Sequence, residues 1–341
     1  MTKFLAIARL PKAIPFLLCF FFFVTPSADA NFAKNLRWTI DGSARLNLSS
    51  SGGNSHDNTS QIYALGLDSH KVLTNHNRDI GYAVAQVYFT TIRDLEPVPF
   101  LFNDKDDSEF IIREAHFNYI PNSLWLPNIR LGHFTLPFGL EESIDTNGRL
   151  LDYYLGENLG TKLDWGIDFN KVLHQLEYSV SYTLGGKNKL RSVDGSYAVT
   201  ARLNSLSHRD FVIGSSLFEG KIDGISRKRV AVDWRYYWHT YGFLGEFSWG
   251  EDNQTKGQYQ TEKYALLELN KTSTDSQLQF YTQFIFRNKA LNTYAEKSLN
   301  MGLSYQINAQ FEFSLSAMSQ LDTPSSVTTK QLARVQIRLR Y

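Results

Sequence analysis

The segment 135–160 carries five carboxylates, Glu141, Glu142, Asp145, Asp152 and Glu157, against one base, Arg149. Arg130 and Lys162 flank it, and Asp164 follows closely. Carboxylates and bases at this density can do two kinds of chemistry. They can transfer protons beside a nucleophile, or they can act as fixed charges that sort ions by sign. The first needs a nucleophile within reach of a base. The nearest pair is His133 and Ser143, and no nucleophile motif surrounds Ser143. His70 and His76, with Asp68 nearby, lack the ligand set of a structural or catalytic metal site. Phosphate-cradling glycine motifs are absent as well. No enzyme activity, cofactor or metal is therefore expected, and the fixed-charge reading is carried forward.

The charges need elements to hold them. The chain has 341 residues, with 35 basic and 34 acidic ones. So even a balance offers no electrostatic support for a nucleic-acid partner. Lys3, Arg9 and Lys12 precede an apolar run from Ala13 to Val24, and Ala28-Asp29-Ala30 has the form of a cleavage site. This pattern predicts a signal peptide over 1–30, with 31–341 as the mature domain. Twelve apolar residues are too few to span a bilayer as a helix. Removing the segment takes the formal charge from +1 to −1 and removes Cys19, the only cysteine. Thiol catalysis and disulfides are then excluded from the mature domain.

After Val24 the dominant period is two. Trp38, Ile40, Gly42, Ala44, Leu46 and Leu48 alternate with polar residues, as do Leu176, Tyr178, Val180 and Tyr182, and Leu278, Phe280, Thr282, Phe284 and Phe286. This is the pattern of strands with one apolar and one polar face. It predicts strands at 36–48, 60–72, 79–92, 110–119, 127–134, 161–169, 173–184, 194–204, 210–219, 227–238, 242–250, 259–269, 276–287, 294–306, 309–320 and 331–341. Most have the length of a tilted strand crossing hydrocarbon. The odd-numbered connectors read as long and polar and the even-numbered ones as short, the asymmetry of an outer-membrane barrel. Aromatics at strand ends, Tyr153-Tyr154, Tyr236-Tyr237-Trp238 with Tyr241, and Tyr119 near Trp125, are expected to form interfacial girdles. Val335, Ile337, Leu339 and Tyr341 alternate along the last strand and resemble the assembly signal of bacterial outer-membrane proteins. A transmembrane antiparallel β-barrel of about sixteen strands follows.

Sixteen strands enclose a lumen roughly 30 Å across, too wide for strand side chains to fill. The longest outward loop, 135–160, is the element expected to occupy it. Parity places Asp41, Arg45, Glu114, His116, Arg202, Arg229, Asp233, Arg235, Glu246 and Arg287 on the lumen wall, with the three arginines of the last strand, and points His133 toward lipid. The expected constriction sets Glu141, Glu142, Asp145 and Asp152 of the loop against Arg130 and Lys162 of the wall, with Arg149 and Asp164 close by.

The run Arg113-Glu114-Ala115-His116-Phe117-Asn118-Tyr119, followed by Ile129-Arg130-Leu131-Gly132-His133-Phe134-Thr135-Leu136-Pro137-Phe138-Gly139-Leu140-Glu141, resembles the phosphate-selective porin O/P family. The resemblance extends to Leu163-Asp164-Trp165-Gly166-Ile167 and covers about 55 residues. It implies a sixteen-stranded trimeric porin whose third loop folds inward and sets the constriction. Thr135 stands where the family has a lysine, and no ladder of closely spaced lysines is visible, so phosphate selectivity is not carried over.

The expected role is an outer-membrane porin of a Gram-negative bacterium passing ions and small hydrophilic solutes. Its other partners would be outer-membrane lipids and the barrel-assembly machinery. The competing reading is a non-conducting barrel serving as a surface interaction or adhesion protein. It rests on loop 93–109, where Phe100-Leu101-Phe102 lies among Pro99, Asp104, Asp106 and Asp107.

Overall fold

The computed structural model describes residues 35–51, 58–75, 78–93, 108–123, 125–144, 149–206, 209–254, 258–289, 295–321 and 330–341. The expected signal peptide, Cys19, His76, Asp145 and the Phe100-Leu101-Phe102 patch lie outside them. The chain divides into two units, 1–36 and 37–341, and the second is the barrel.

Sixteen antiparallel strands among the described residues close in sequence order, with β16 returning to β1. They are β1 Leu36–Ser51, β2 Asn58–Asn75, β3 Arg78–Arg93, β4 Ser108–Tyr119, β5 Asn128–Thr135, β6 Leu163–Val172, β7 Leu176–Thr183 and β8 Tyr197–Ser205. The second half comprises β9 Phe211–Ile222, β10 Ile225–Trp238, β11 Tyr241–Gln254, β12 Gln258–Thr272, β13 Leu278–Lys289, β14 Glu296–Gln306, β15 Phe311–Gln320 and β16 Lys330–Arg340. Closure matters because an open sheet would leave an edge of unpaired backbone groups, which hydrocarbon cannot solvate. At the seam the Ile40 amide donates to the Tyr341 carbonyl (2.7 Å) and the Tyr341 amide to that of Ile40 (2.9 Å).

Burial is inverted relative to a soluble protein. Trp38, Leu65, Phe89, Leu217, Phe247 and Ile337 are exposed, while Asp41, Asp168, Asp233 and Arg338 are buried. Parity therefore turns apolar side chains outward and polar ones inward. On β10 the outward row runs from Lys228, beside Glu219 (3.5 Å), through Val230, Val232 and Trp234 to Tyr236 and Trp238. Ten residues at about 3.4 Å, tilted about 40°, separate the charged and aromatic ends by about 26 Å of height. That matches the apolar band of an outer-membrane barrel. Trp238 stacks on Tyr241 (6.1 Å) and Tyr236 on Phe243 (6.2 Å).

Two expectations need correction. Connector length does not alternate throughout. The odd-numbered connection β9–β10 is the two-residue turn Asp223-Gly224, both at positive φ (52° and 77°), the geometry of a tight hairpin. The even-numbered connection β4–β5 spans residues 120–127. Strands that pair tightly simply run on past the band. Tyr153 and Tyr154 also form no girdle, because they lie on the third loop against the inner wall.

Candidate functional site: a loop fastened to the inner wall

The segment from Leu136 to Lys162 leaves β5, crosses to the far wall and returns to β6. Gly139 makes the first turn at φ 63°, where an added Cβ would sit 2.4 Å from Glu246 Oε2. Only glycine fits that turn and that contact together. The Leu140 amide then donates to Glu246 Oε2 (2.8 Å) and the Gly139 amide to Ser216 Oγ (3.1 Å). Arg202 Nη1 donates to the Gly139 carbonyl (2.6 Å). A 3₁₀ turn, Leu140–Ser143, follows.

The distal part is held from the opposite wall. Arg334 of β16 grips Asp152 through both η nitrogens (2.8 and 2.7 Å). Its Nη2 also donates to the Leu150 carbonyl (3.0 Å), which accepts Tyr281 OH as well (2.8 Å). The Asp152 amide donates to Gln283 Oε1 (2.9 Å), and Asn300 Nδ2 donates to the Asp152 carboxylate (2.7 Å). Tyr153 OH donates to Glu268 Oε2 (2.7 Å). Burial, and then the Glu268 carboxylate, push the Tyr153 hydroxyl well above its ordinary range, so it stays a donor.

The return runs through the short helix α1, Leu155–Leu159, capped by Gly160 at φ 88°. Asn158 Nδ2 donates to Ser248 Oγ (2.7 Å), and Arg229 Nε donates to Asn158 Oδ1 (2.9 Å). Glu157 pairs with Arg287. The loop thus touches residues of every strand from β8 to β14 and of β16.

Apolar contacts reinforce the polar ones. Leu136, Phe138, Leu155 and Leu159 pack on Ala198, Phe218, Ile222 and Ala231. Leu140 and Tyr153 pack on Leu244, Tyr264, Leu266 and Ile285. These wall residues interrupt an otherwise polar inner face where the loop lands. Each fully covered Leu or Phe contributes about 1.5–3 kcal/mol relative to exposure.

The expected constriction residues are distributed differently from the expected opposition. Glu141 meets Lys162 at 2.5 Å and accepts the Leu155 amide (3.0 Å). Asp152 meets Arg334 of β16, with no contact to Arg130. Arg130 instead pairs with Asp168 (3.0 Å) and covers the Phe134 ring at 4.5 Å. Register explains this, since Arg130 and Asp168 are cross-strand partners on β5 and β6. Glu142 lies 3.8 Å from Arg202 and Arg149 is exposed. Asp164 is fully buried and accepts the Gly185 amide, so it secures the chain after β7.

The ten expected wall residues all fall on the inward parity, and most are paired. Arg202 grips Asp233 through two bonds (2.8 and 2.9 Å) and Arg338 grips Asp41 (2.9 and 2.5 Å). Arg229 reaches Asp252 and, at 2.7 Å, Glu262. Glu246 serves as a loop anchor. Glu114 accepts Thr135 Oγ1 (3.3 Å), and His116 stacks edge-on to Tyr82 (6.1 Å). Sequence reasoning missed Ser216, Ser248, Glu268, Gln283 and Asn300 as anchors. Alternation put them on the inner face, but nothing local told an anchor from an ordinary wall residue.

His133 lies on the outward parity yet is fully buried, 5.1 Å from Trp165. Trp165 Nε1 donates to the Asn188 carbonyl (3.2 Å), so the segment after β7 covers this patch. Its expected lipid exposure is therefore corrected.

No family model matches the chain, and no curated protein matches its sequence. Solved structures do. OprB of Pseudomonas putida aligns with a TM-score of 0.67 at 10% identity, over 91% of this chain and 95% of that one. OmpF of Salmonella typhi, in complex with daunomycin, gives 0.65 at 13% identity over 90% and 97%. An anion-selective porin of Comamonas acidovorans gives 0.62 at 9% identity over 90% and 99%. At such identities the likeness is one of architecture, and by architecture this chain is a sixteen-stranded barrel of the outer-membrane porin type.

Proposed function

We propose that the protein is an outer-membrane porin through which ions and small hydrophilic solutes diffuse passively past a charged constriction. The observation that carries this reading is the third loop, held across the inner wall from β8 to β16. Such a loop narrows a lumen that strand side chains alone leave wide. Selection would be electrostatic, with no covalent step. The likeness to OmpF, OprB and the Comamonas porin supports the reading at the level of fold. The resemblance of 113–119 and 129–141 to the phosphate-selective porin O/P family supports it at the level of motif. Export by the segment 1–30, assembly into a homotrimer, and recognition of Val335, Ile337, Leu339 and Tyr341 by the assembly machinery belong to the same proposal.

A second reading has its own support. Two apolar clusters lie inside the barrel, and a lumen filled this way would suit a non-conducting surface-interaction protein. Single-channel recording of refolded protein in planar bilayers separates the two. Stepwise conductance, with steps in threes for a trimer, is expected. Silence from correctly folded protein would reject the diffusion pathway and favour the second reading.

A further inference from the structure

At the outward end of the barrel the described residues enclose a niche of about 230 Å³. It lies between Glu109 of β4, Lys162 at the return of the third loop, the arc 185–189 that follows β7, and Asp223 of the β9–β10 turn. The arc is firmly built. Asp164 accepts the Gly185 amide, and Trp165 Nε1 donates to the Asn188 carbonyl (3.2 Å). A Cβ on Gly186 would stand 2.1 Å from the Arg191 carbonyl oxygen, so glycine alone permits the fold-back there. A wall set in advance lowers the ordering cost of binding.

The niche carries both signs of charge. Lys162 is largely withdrawn from water and already held by Glu141, so that side is neutral. Lys187 meets Asp223 at 2.8 Å, but this pair is open to solvent, with side chains 28% and 62% exposed. Such a pair is worth little and opens to a ligand at small cost. Lys189 is exposed on the same arc, and Glu109 is half-buried on β4. With Glu141 included, three ammonium and three carboxylate groups among the described residues meet here. Their balance leaves no net field to favour a simple anion or a simple cation. A solute bearing both charges finds a partner for each.

We propose that this niche binds small zwitterions, of the size of an amino acid or a dipeptide, at the outward mouth of the barrel. The proposal rests on the diffusion reading and deepens it by naming a solute class. Lys187 and Lys189 hold the ligand carboxylate, and Asp223 and Glu109 hold its ammonium group. Hydrogen bonds between ionised partners are about twice as strong as neutral ones, so an uncharged solute of the same size gains far less. A singly charged solute satisfies one side only. The volume sets the size limit, since it falls below the roughly 300–1,000 Å³ of sites for drug-sized ligands.

The test is saturation-transfer NMR on the refolded barrel in detergent, with three probes of similar size. Glycylglycine is the zwitterion, glycinamide the cation and N-acetylglycine the anion. Glycylglycine is expected to bind saturably and at least about threefold more tightly than either singly charged probe. Lys189→Gln should erase its advantage over glycinamide, and Glu109→Gln its advantage over N-acetylglycine. Lys189→Arg keeps the charge and should retain the wild-type order, which separates a charge effect from a folding defect. Heat-modifiable migration on gels checks folding for each variant. Equal binding of the three probes, no saturable binding of glycylglycine, or an unchanged order in Lys189→Gln overturns the proposal. Bilayer recordings keep the two readings apart. A conducting protein indifferent to glycylglycine loses the niche and stays a porin, whereas a silent protein that binds it keeps the niche and loses the passage.

Discussion

At the scale of single residues, the loop depends on a few charge-assisted bonds whose partners lie far apart in sequence. Asp152 and Arg334 are separated by 182 positions, and both are largely withdrawn from water. Removing one member of such a pair strands the other as a buried charge. Asp152→Asn should therefore cost about 3 kcal/mol in barrel stability, read from urea unfolding in detergent or bilayers. A loss below about 0.5 kcal/mol would mean that water solvates Arg334 in the native state. The same change removes a negative charge from the inner wall, so it should also shift the reversal potential toward anions. At the seam, Arg338→Ala strips Asp41 of its bidentate partner, and a loss of similar size is expected. Tyr88 OH remains within 3.2 Å of Asp41 and limits the damage.

At the scale of elements, the loop is a folded insert rather than a tether. Phe138 and Leu159 are fully buried in one of its two apolar footings. Phe138→Ala should cost about 3–5 kcal/mol if the loop and barrel unfold together. If only the loop detaches, stability will barely change while single-channel conductance rises, so recording both quantities tells which unit is cooperative. The strands were the most readable elements of the sequence. Even the poorly alternating segments 60–72 and 259–269 formed strands, because neighbours on both sides supplied ladder partners. Alternation also assigned wall residues such as Asp233 and Arg338 to the inner face. What it could not supply was pairing across the lumen. Nothing near Asp152 in sequence marks Arg334, Asn300 or Gln283 as its partners, because barrel closure brings them together. Arg130 illustrates the opposite error: its cross-strand neighbour Asp168 was a stronger competitor for it than any loop acid.

At the scale of the whole molecule, the outer surface behaves as a solvent boundary. Val232 faces outward near the middle of the apolar band, between the Lys228 and Trp238 ends of β10. Val232→Arg should destabilise the barrel in a bilayer by about 2–4 kcal/mol. The same change placed at Lys228, already charged and exposed, should be nearly silent. Equal costs at both positions would show that the band has been placed at the wrong height.

Arg334 and Arg338 share one strand, and that strand is β16. One of them clasps the loop and the other closes the cylinder onto β1. The two fastenings lie four residues apart on one strand, so they share a single fate. Any displacement of β16 as a whole would part the wall from β1 and unlatch the loop at the same moment, and reseating that one strand would cure both.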